Sequence, residues 1–298
     1  MASYTAEDVK RLREATAAGM LDCKKALDEA DGNYEKAVEI IRVKGLKGVT
    51  KREGRTTSNG VVLAKAEGNL GVMLELACET DFVAKGERFV ELAEELLAHL
   101  FASKIAELDA FLASTLPSGA TVQARIDEGN ATLGEKIELR KIAVLEGAPV
   151  AVYLHRTNPD LPPQLGVLVQ LTTDALEAGK DVAQHIAAFA PQYLNRESVP
   201  AEAIENERHI AEETARNEGK PEAAIEKIVA GRVTGFVKEV SLLEQAFAKD
   251  AKKTVQQILD EAKTAVSAFH RFRVGQYSAR SSKSLLKLRS THYGQIRL

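Results

Sequence analysis

Residues 61–66 and 70–78 are apolar-rich runs parted only by Glu67-Gly68-Asn69, and this arrangement constrains the fold more than any other stretch of the chain. Two such runs around a Gly-Asn turn specify a hairpin of an antiparallel sheet, and a sheet must bury at least one face against another layer. Beyond the hairpin, the spacing predicts a helix over residues 87–106 and then a further helical stretch. A second strand-rich region follows, holding Ile137–Glu146, Val150–His155 and residues 166–171, and then a helix over about 177–190. Two strands, helices and a strand recur in part, which predicts a core of two related α+β halves with antiparallel sheets.

The pattern is helical on either side of that core. Thr5 caps a first helix with Asp8 three residues on; a second runs over Met20–Glu29; Asp31-Gly32-Asn33 turns the chain into a third, with Tyr34, Ala37, Val38 and Ile41 on one face. Three helices this short predict a compact docking module. Residues 42–55 follow with six basic residues, one acid and three glycines, which reads as a linker. Its Gly45-Leu46-Lys47-Gly48 admits a second reading as an RNA-binding G-x-x-G loop. Near the C-terminus Ile204, Arg208, Ala211 and Ala215 form one stripe and Ala224, Ile225, Ile228, Val229 and Phe236 another, with Gly219-Lys220-Pro221 between them. This predicts an antiparallel helical hairpin over about 200–240, charged outside and protruding from the body. The expected domains are 1–54, the docking module with its linker; 55–145 and 146–276, the two core halves, the second containing the hairpin; and 277–298, a basic tail.

Composition narrows the function. Forty basic against forty-three acidic residues give a formal charge of -3, so a nucleic-acid surface spread over the whole chain is not expected and any basic patch is local. No signal-peptide pattern and no membrane-length apolar run occurs, which predicts a soluble, cytoplasmic protein. Phosphate-loop, dinucleotide, zinc-protease and serine-hydrolase motifs are absent, and the six histidines lack metal-ligand spacing. No catalytic chemistry, metal or cofactor is expected. Cys23 and Cys78 are too few for a disulfide framework and read as small buried apolar groups.

Two segments carry more than periodicity. LREATAAGMLDCKKAL, residues 12–27, and ELACETDFVAK, residues 75–85, resemble the two signature stretches of the elongation factor Ts family in its actinobacterial form. The similarity runs on through Gly166-Val167-Leu168-Val169, Gly219-Lys220-Pro221, Gly231-Arg232, Val240-Ser241-Leu242, Lys253-Thr254-Val255 and Phe269-His270-Arg271-Phe272, and so covers about residues 1–276. The chain departs from the family at Ala17, where glycine is usual, and at Arg273, where an acid is usual. The resemblance implies a ubiquitin-associated-like N-terminal module and a guanine nucleotide exchange factor that binds elongation factor Tu, in its GDP-bound and nucleotide-free forms, so that GTP can rebind. No direct contact with nucleic acid or membrane is implied.

The resemblance also implies site residues. Thr80, Asp81, Phe82 and Val83 match a loop that wedges beside the partner's magnesium and phosphate site, with Phe82 as the wedge and Asp81 fixing the loop or pairing with a partner base. Lys10, Arg13, Met20 and Leu21 match positions that touch the partner's nucleotide domain, and His155, at a strand end, matches a further contact position. Taken from the residues alone, Phe82 reads first as a buried core aromatic at the start of a helix, and the four N-terminal residues as a solvated face with ordinary core; the resemblance reverses the order. An adaptor that leaves the nucleotide off-rate unchanged and an RNA-binding protein acting through residues 42–55 are the competing function classes. The segment 277–298 holds five basic residues and no acid, so the remainder of the chain carries -8; it reads as a weakly ordered tail or as a docked helix built on Leu285, Leu286 and Leu288.

Overall fold

The computed structural model describes residues 4–16, 18, 20–41, 43 and 54–276. Ala17, Gly19, the Gly45–Gly48 tetrapeptide and the tail lie outside these residues, and with them the expectations attached to them.

Three helices open the chain: α1 (Ala6–Thr16), α2 (Met20–Glu29) and α3, whose described part covers 34–41. The Thr5 cap forms as the spacing predicts. Asp8 N–H donates to Thr5 Oγ1 (3.2 Å) and Thr5 N–H donates to the Asp8 carboxylate (2.8 Å), so two otherwise orphaned donors are satisfied reciprocally. Those bonds from Thr5, backbone first, hold the Asp8 carboxyl below its ordinary value. Val9, Leu12, Cys23, Ala26, Leu27 and Ala37 fill the space between the helices.

The body is a stack of four layers. Strands β1 (Asn59–Glu67), β2 (Leu70–Cys78) and β3 (Ile137–Glu146) form an antiparallel sheet in the order β1-β2-β3. In the hairpin Glu67 pairs with Leu70, so Gly68 and Asn69 are the loop, and Gly68 takes a φ of 59° that few other residues adopt without strain. A second antiparallel sheet joins β4 (Val150–His155), β5 (Leu165–Leu171) and β8 (Val266–Arg273) in the order β4-β5-β8.

On the outer face of the first sheet lie α4 (Asp81–Ala84), α5 (Glu87–Ser103), α6 (Leu108–Ala113) and α7 (Val122–Leu133), packed on Val61, Val72, Leu74 and Leu76. The outer face of the second sheet, with Val167, Val169 and Leu171, is covered by α8 (Leu176–Phe189) and α11 (Val255–Glu261). The two inner faces meet through Val62, Met73 and Ala143 on one side and Val150, Leu168 and Phe272 on the other. Strand β2, central in its sheet and covered on both faces, is therefore buried along its whole length, which is why its sequence is apolar at every position but Glu75 instead of alternating. Contact between the sheets is close enough at Gly166 that a Cβ there would stand 2.6 Å from Val62 Cγ1 and 2.8 Å from Met73 Sδ.

Helices α9 (Ala201–Asn217) and α10 (Glu222–Val240) form the expected hairpin, closed over Ala211, Ala215, Ile225 and Val229, with Gly219 at a φ of 69° in the turn. A short ladder of β6 (Ala246–Phe247) and β7 (Asp250–Thr254) precedes α11.

Ile137–Glu146, which runs on into the later strands in sequence, pairs with β2 in the first sheet, on the first-half side of the expected boundary at 145. One expectation needs correction. The helix expected over 87–106 ends at Ser103, because Lys104 turns left-handed at a φ of 55° and closes the last turn on Leu100 O.

Candidate partner-binding site

Beyond β2 the chain leaves the sheet through Glu79 and Thr80 and makes the single turn of α4. Thr80 is its N-cap: its hydroxyl oxygen accepts from Val83 N–H (3.4 Å). One turn has two sides. Ala84 is buried and Val83 is partly buried against the core of the first sheet, whereas Phe82 points away and is 77% exposed, the largest exposure of any large apolar side chain among the described residues. Lys85 Nζ lies over the Phe82 ring at 4.6 Å from its centroid and pairs with Asp81 at 3.5 Å, so the ring is shielded by a cation that Asp81 orients. Lys85 was missed in the sequence; its spacing of three and four residues from Phe82 and Asp81 is the signal that finds it.

Immediately beneath the turn, Cys78 Sγ–H donates to Thr80 O (3.2 Å). Burial, with smaller contributions from Glu135, Glu79 and Asp81, pushes the Cys78 thiol up to about 12. It is a packing group here, not a nucleophile, as is Cys23, also buried and free, whose thiol burial likewise raises.

The strand registers bring a second candidate to the same end of the stack. His155 pairs with Leu165, which pairs in turn with Arg273; Val274 N–H donates to Gln164 O (2.9 Å), and Gly275 then passes close to Ser58, beside the Asn59–Cys78 pair that leads into the α4 turn. His155 is exposed, and its Nδ1 is 3.0 Å from Tyr153 Oη. Arg273 is exposed at this end too. Thr80, Asp81, Phe82, Val83 and His155 thus share one end of the two-sheet body. Lys10, Arg13, Met20 and Leu21 form a separate group on α1 and α2; all four are exposed, Met20 by 53% and Leu21 by 63%, so both apolar members lie outside the small core. No cluster of three or more metal-ligating side chains occurs among the described residues, nor is any of their helices long and apolar enough to cross a membrane.

Comparison with known proteins follows these outlines. The Elongation factor TS family matches residues 79–276, a stretch that begins at the α4 turn. The elongation factor Ts of Streptomyces griseus subsp. griseus is 61% identical over 277 residues, 92% of this chain and 100% of the relative. That of Acidothermus cellulolyticus is 59% identical over 278 residues, 93% of this chain and 100% of the relative, and that of Arthrobacter sp. is 57% identical over 278 residues, 92% and 100%. These similarities put the chain among the translation elongation factors. It belongs to the elongation factor Ts family.

Proposed function

We propose that this factor drives GDP from elongation factor Tu by pressing the α4 turn into the partner beside its magnesium and phosphate site, with Phe82 as the wedge. Family membership supports the coarser part, a translation elongation factor that acts on elongation factor Tu in nucleotide exchange. The observation that carries the finer part is Phe82 itself: an aromatic ring 77% in water at the tip of a capped turn. Burying such a ring is worth about 1.5–3 kcal/mol, and within this chain that stabilisation goes unused.

Exchange by this route needs no acid, base or nucleophile from the factor, and we propose that the chain is not an enzyme in the bond-making sense. It works by linkage. A contact made only when the nucleotide site is open weakens GDP by the same factor by which GDP weakens the contact, and a thousandfold effect corresponds to about 4 kcal/mol. In this reading the factor binds both GDP-bound and nucleotide-free elongation factor Tu, the latter more tightly. His155 adds a second contact at the same end, and Lys10, Arg13, Met20 and Leu21 dock the N-terminal helices.

Stopped-flow release of labelled GDP from elongation factor Tu, measured against factor concentration, is the test. The proposal expects a rate that rises to a plateau far above spontaneous release and a plateau that falls in Phe82→Ala. A bound factor that leaves the off-rate unchanged would make the chain an adaptor instead.

A further inference from the structure

A single helical turn does not hold its own shape, since isolated helices shorter than about 12–15 residues are marginal in water. Helix α4 has four residues and one long capping bond. Val83 and Ala84 seat its inner side on the core, and a second restraint on the direction in which Phe82 leaves the sheet comes from the loop between α7 and β3. Thr80 N–H donates to Glu135 Oε2 (3.0 Å), and the Thr80 hydroxyl donates to Glu135 Oε1. Because that hydroxyl spends its proton on Glu135, its oxygen is turned to accept from Val83 N–H. The carboxylate therefore acts through Thr80 on the residue that follows Phe82.

The exchange is mutual. Glu79 Oε1, from the residue before Thr80, accepts from Lys136 N–H (2.6 Å), the residue after Glu135. Arg55 pairs with Glu79 at 3.2 Å, and Asn59 Nδ2–H donates to Glu79 O (2.9 Å). Each of two adjoining loops thus gives a carboxylate to a peptide N–H of the other, and such charge-assisted bonds are the stronger kind. The same two loops also frame the first pair of β2 with β3, Cys78 with Ile137.

We propose that Glu135 is a positioning residue for exchange: the reciprocal clamp between residues 79–80 and 135–136 presets the angle of the Phe82 turn, so that the wedge enters its partner already ordered. This rests on the wedge reading above. Glu135 touches neither nucleotide nor reacting atoms and acts only through Thr80 and Phe82.

The test is a mutant cycle on the plateau rate of GDP release from elongation factor Tu, using the full chain. Glu135→Ala should lower the plateau about 5- to 10-fold, and Glu135→Gln, whose single amide oxygen can still accept from Thr80 N–H but whose amide nitrogen cannot accept from the hydroxyl, should fall between Glu135→Ala and the parent. In the Phe82→Ala background Glu135→Ala should change the plateau by less than about 2-fold, because nothing remains to position. Should Glu135→Ala fail to fold, Thr80→Val keeps the side-chain volume, cuts the relay to Val83 and must show the same dependence on Phe82. An unchanged plateau in Glu135→Ala, or an equal loss with and without Phe82, overturns the clamp while leaving the wedge standing. A Phe82→Ala plateau equal to that of the parent overturns the wedge itself, and the positioning role with it.

Discussion

Phe82 sits in water under the Lys85 ammonium, and that state has measurable consequences at the scale of one side chain. Phe82→Ala should lower the plateau of GDP release at least tenfold with the fold intact, because truncating an aromatic at an interface centre costs about 2–4 kcal/mol. Lys10→Ala and Arg13→Ala should differ in kind. They remove charge from a docking face, so the factor concentration needed for half-maximal release and its salt dependence should change more than the plateau. His185 offers a pH test. Burial lowers its pKa below the ordinary 6.5; Ala248 N–H donates to its Nδ1 (3.1 Å), and its Nε2 lies 2.8 Å from Gln245 Oε1, a pairing that only the neutral ring satisfies on both sides. The neutral form is favoured by folding, so its stabilisation is complete above about pH 6.5 and is lost as pH falls below that value towards the depressed folded pKa. Urea midpoints of the parent should therefore drop more between pH 7.5 and 5.5 than those of His185→Gln. The exposure of Phe82 follows in the sequence from the family resemblance alone, and not from the residue and its neighbours. An aromatic opening a helix is as well suited to a core as to a partner, and only the placement of Val83 and Ala84 on the inner side decides it.

Among the elements, those with local causes were the readable ones. Strands β1 and β2 follow from their Gly-Asn turn, α1 from its capping box, and the α9–α10 hairpin from two stripes around Gly219. Strand β8 was recognised only as a family motif. Half of VSAFHRFR is polar because β8 is an edge strand only partly covered on each face: Val266 and Phe269 pack on the helical side and Ala268 and Phe272 on the first sheet, while Ser267 and Arg273 stay exposed. The pairing partner of β3 and the clamp at Glu135 were illegible for one reason, that both join residues more than fifty positions apart. Two predictions belong at this scale. Gly235 lies exposed within α10 with open space where a Cβ would stand, so Gly235→Ala should stabilise the chain by about 1 kcal/mol, seen as a higher thermal midpoint. The hairpin closes over its own apolar residues. Replacing residues 200–240 with a short glycine linker should keep the plateau of GDP release within a few-fold, and a hundredfold loss with the remainder folded would make the hairpin a contact surface.

Across the whole molecule, one buried carboxylate joins the two sheets. Glu75, fully buried in β2, pairs with Lys141 at 2.9 Å and Arg140 at 3.7 Å, and its Oε1 accepts from Gly275 N–H (3.3 Å), while Lys141 also reaches Gln276 O. Glu75→Ala takes the anion from between two mostly buried cations and frees the end of β8 from the first sheet. It should cost about 3–5 kcal/mol in chemical denaturation, far more than loss of a surface pair. The order β4-β5-β8 has a further consequence, one that concerns time. A ribosome delivers the chain from its N-terminus, and by Glu146 the first sheet has all three strands and its layer of helices, with only its inner face still to be covered. The second sheet lacks an outer strand until residue 273 has emerged, and β5 waits through about a hundred residues of translation with one edge bare. The hairpin inside that interval folds on local contacts. The second sheet is thus complete only once β8 is free to pair, and a nascent chain halted before β8 should carry a formed Phe82 turn on half a stack.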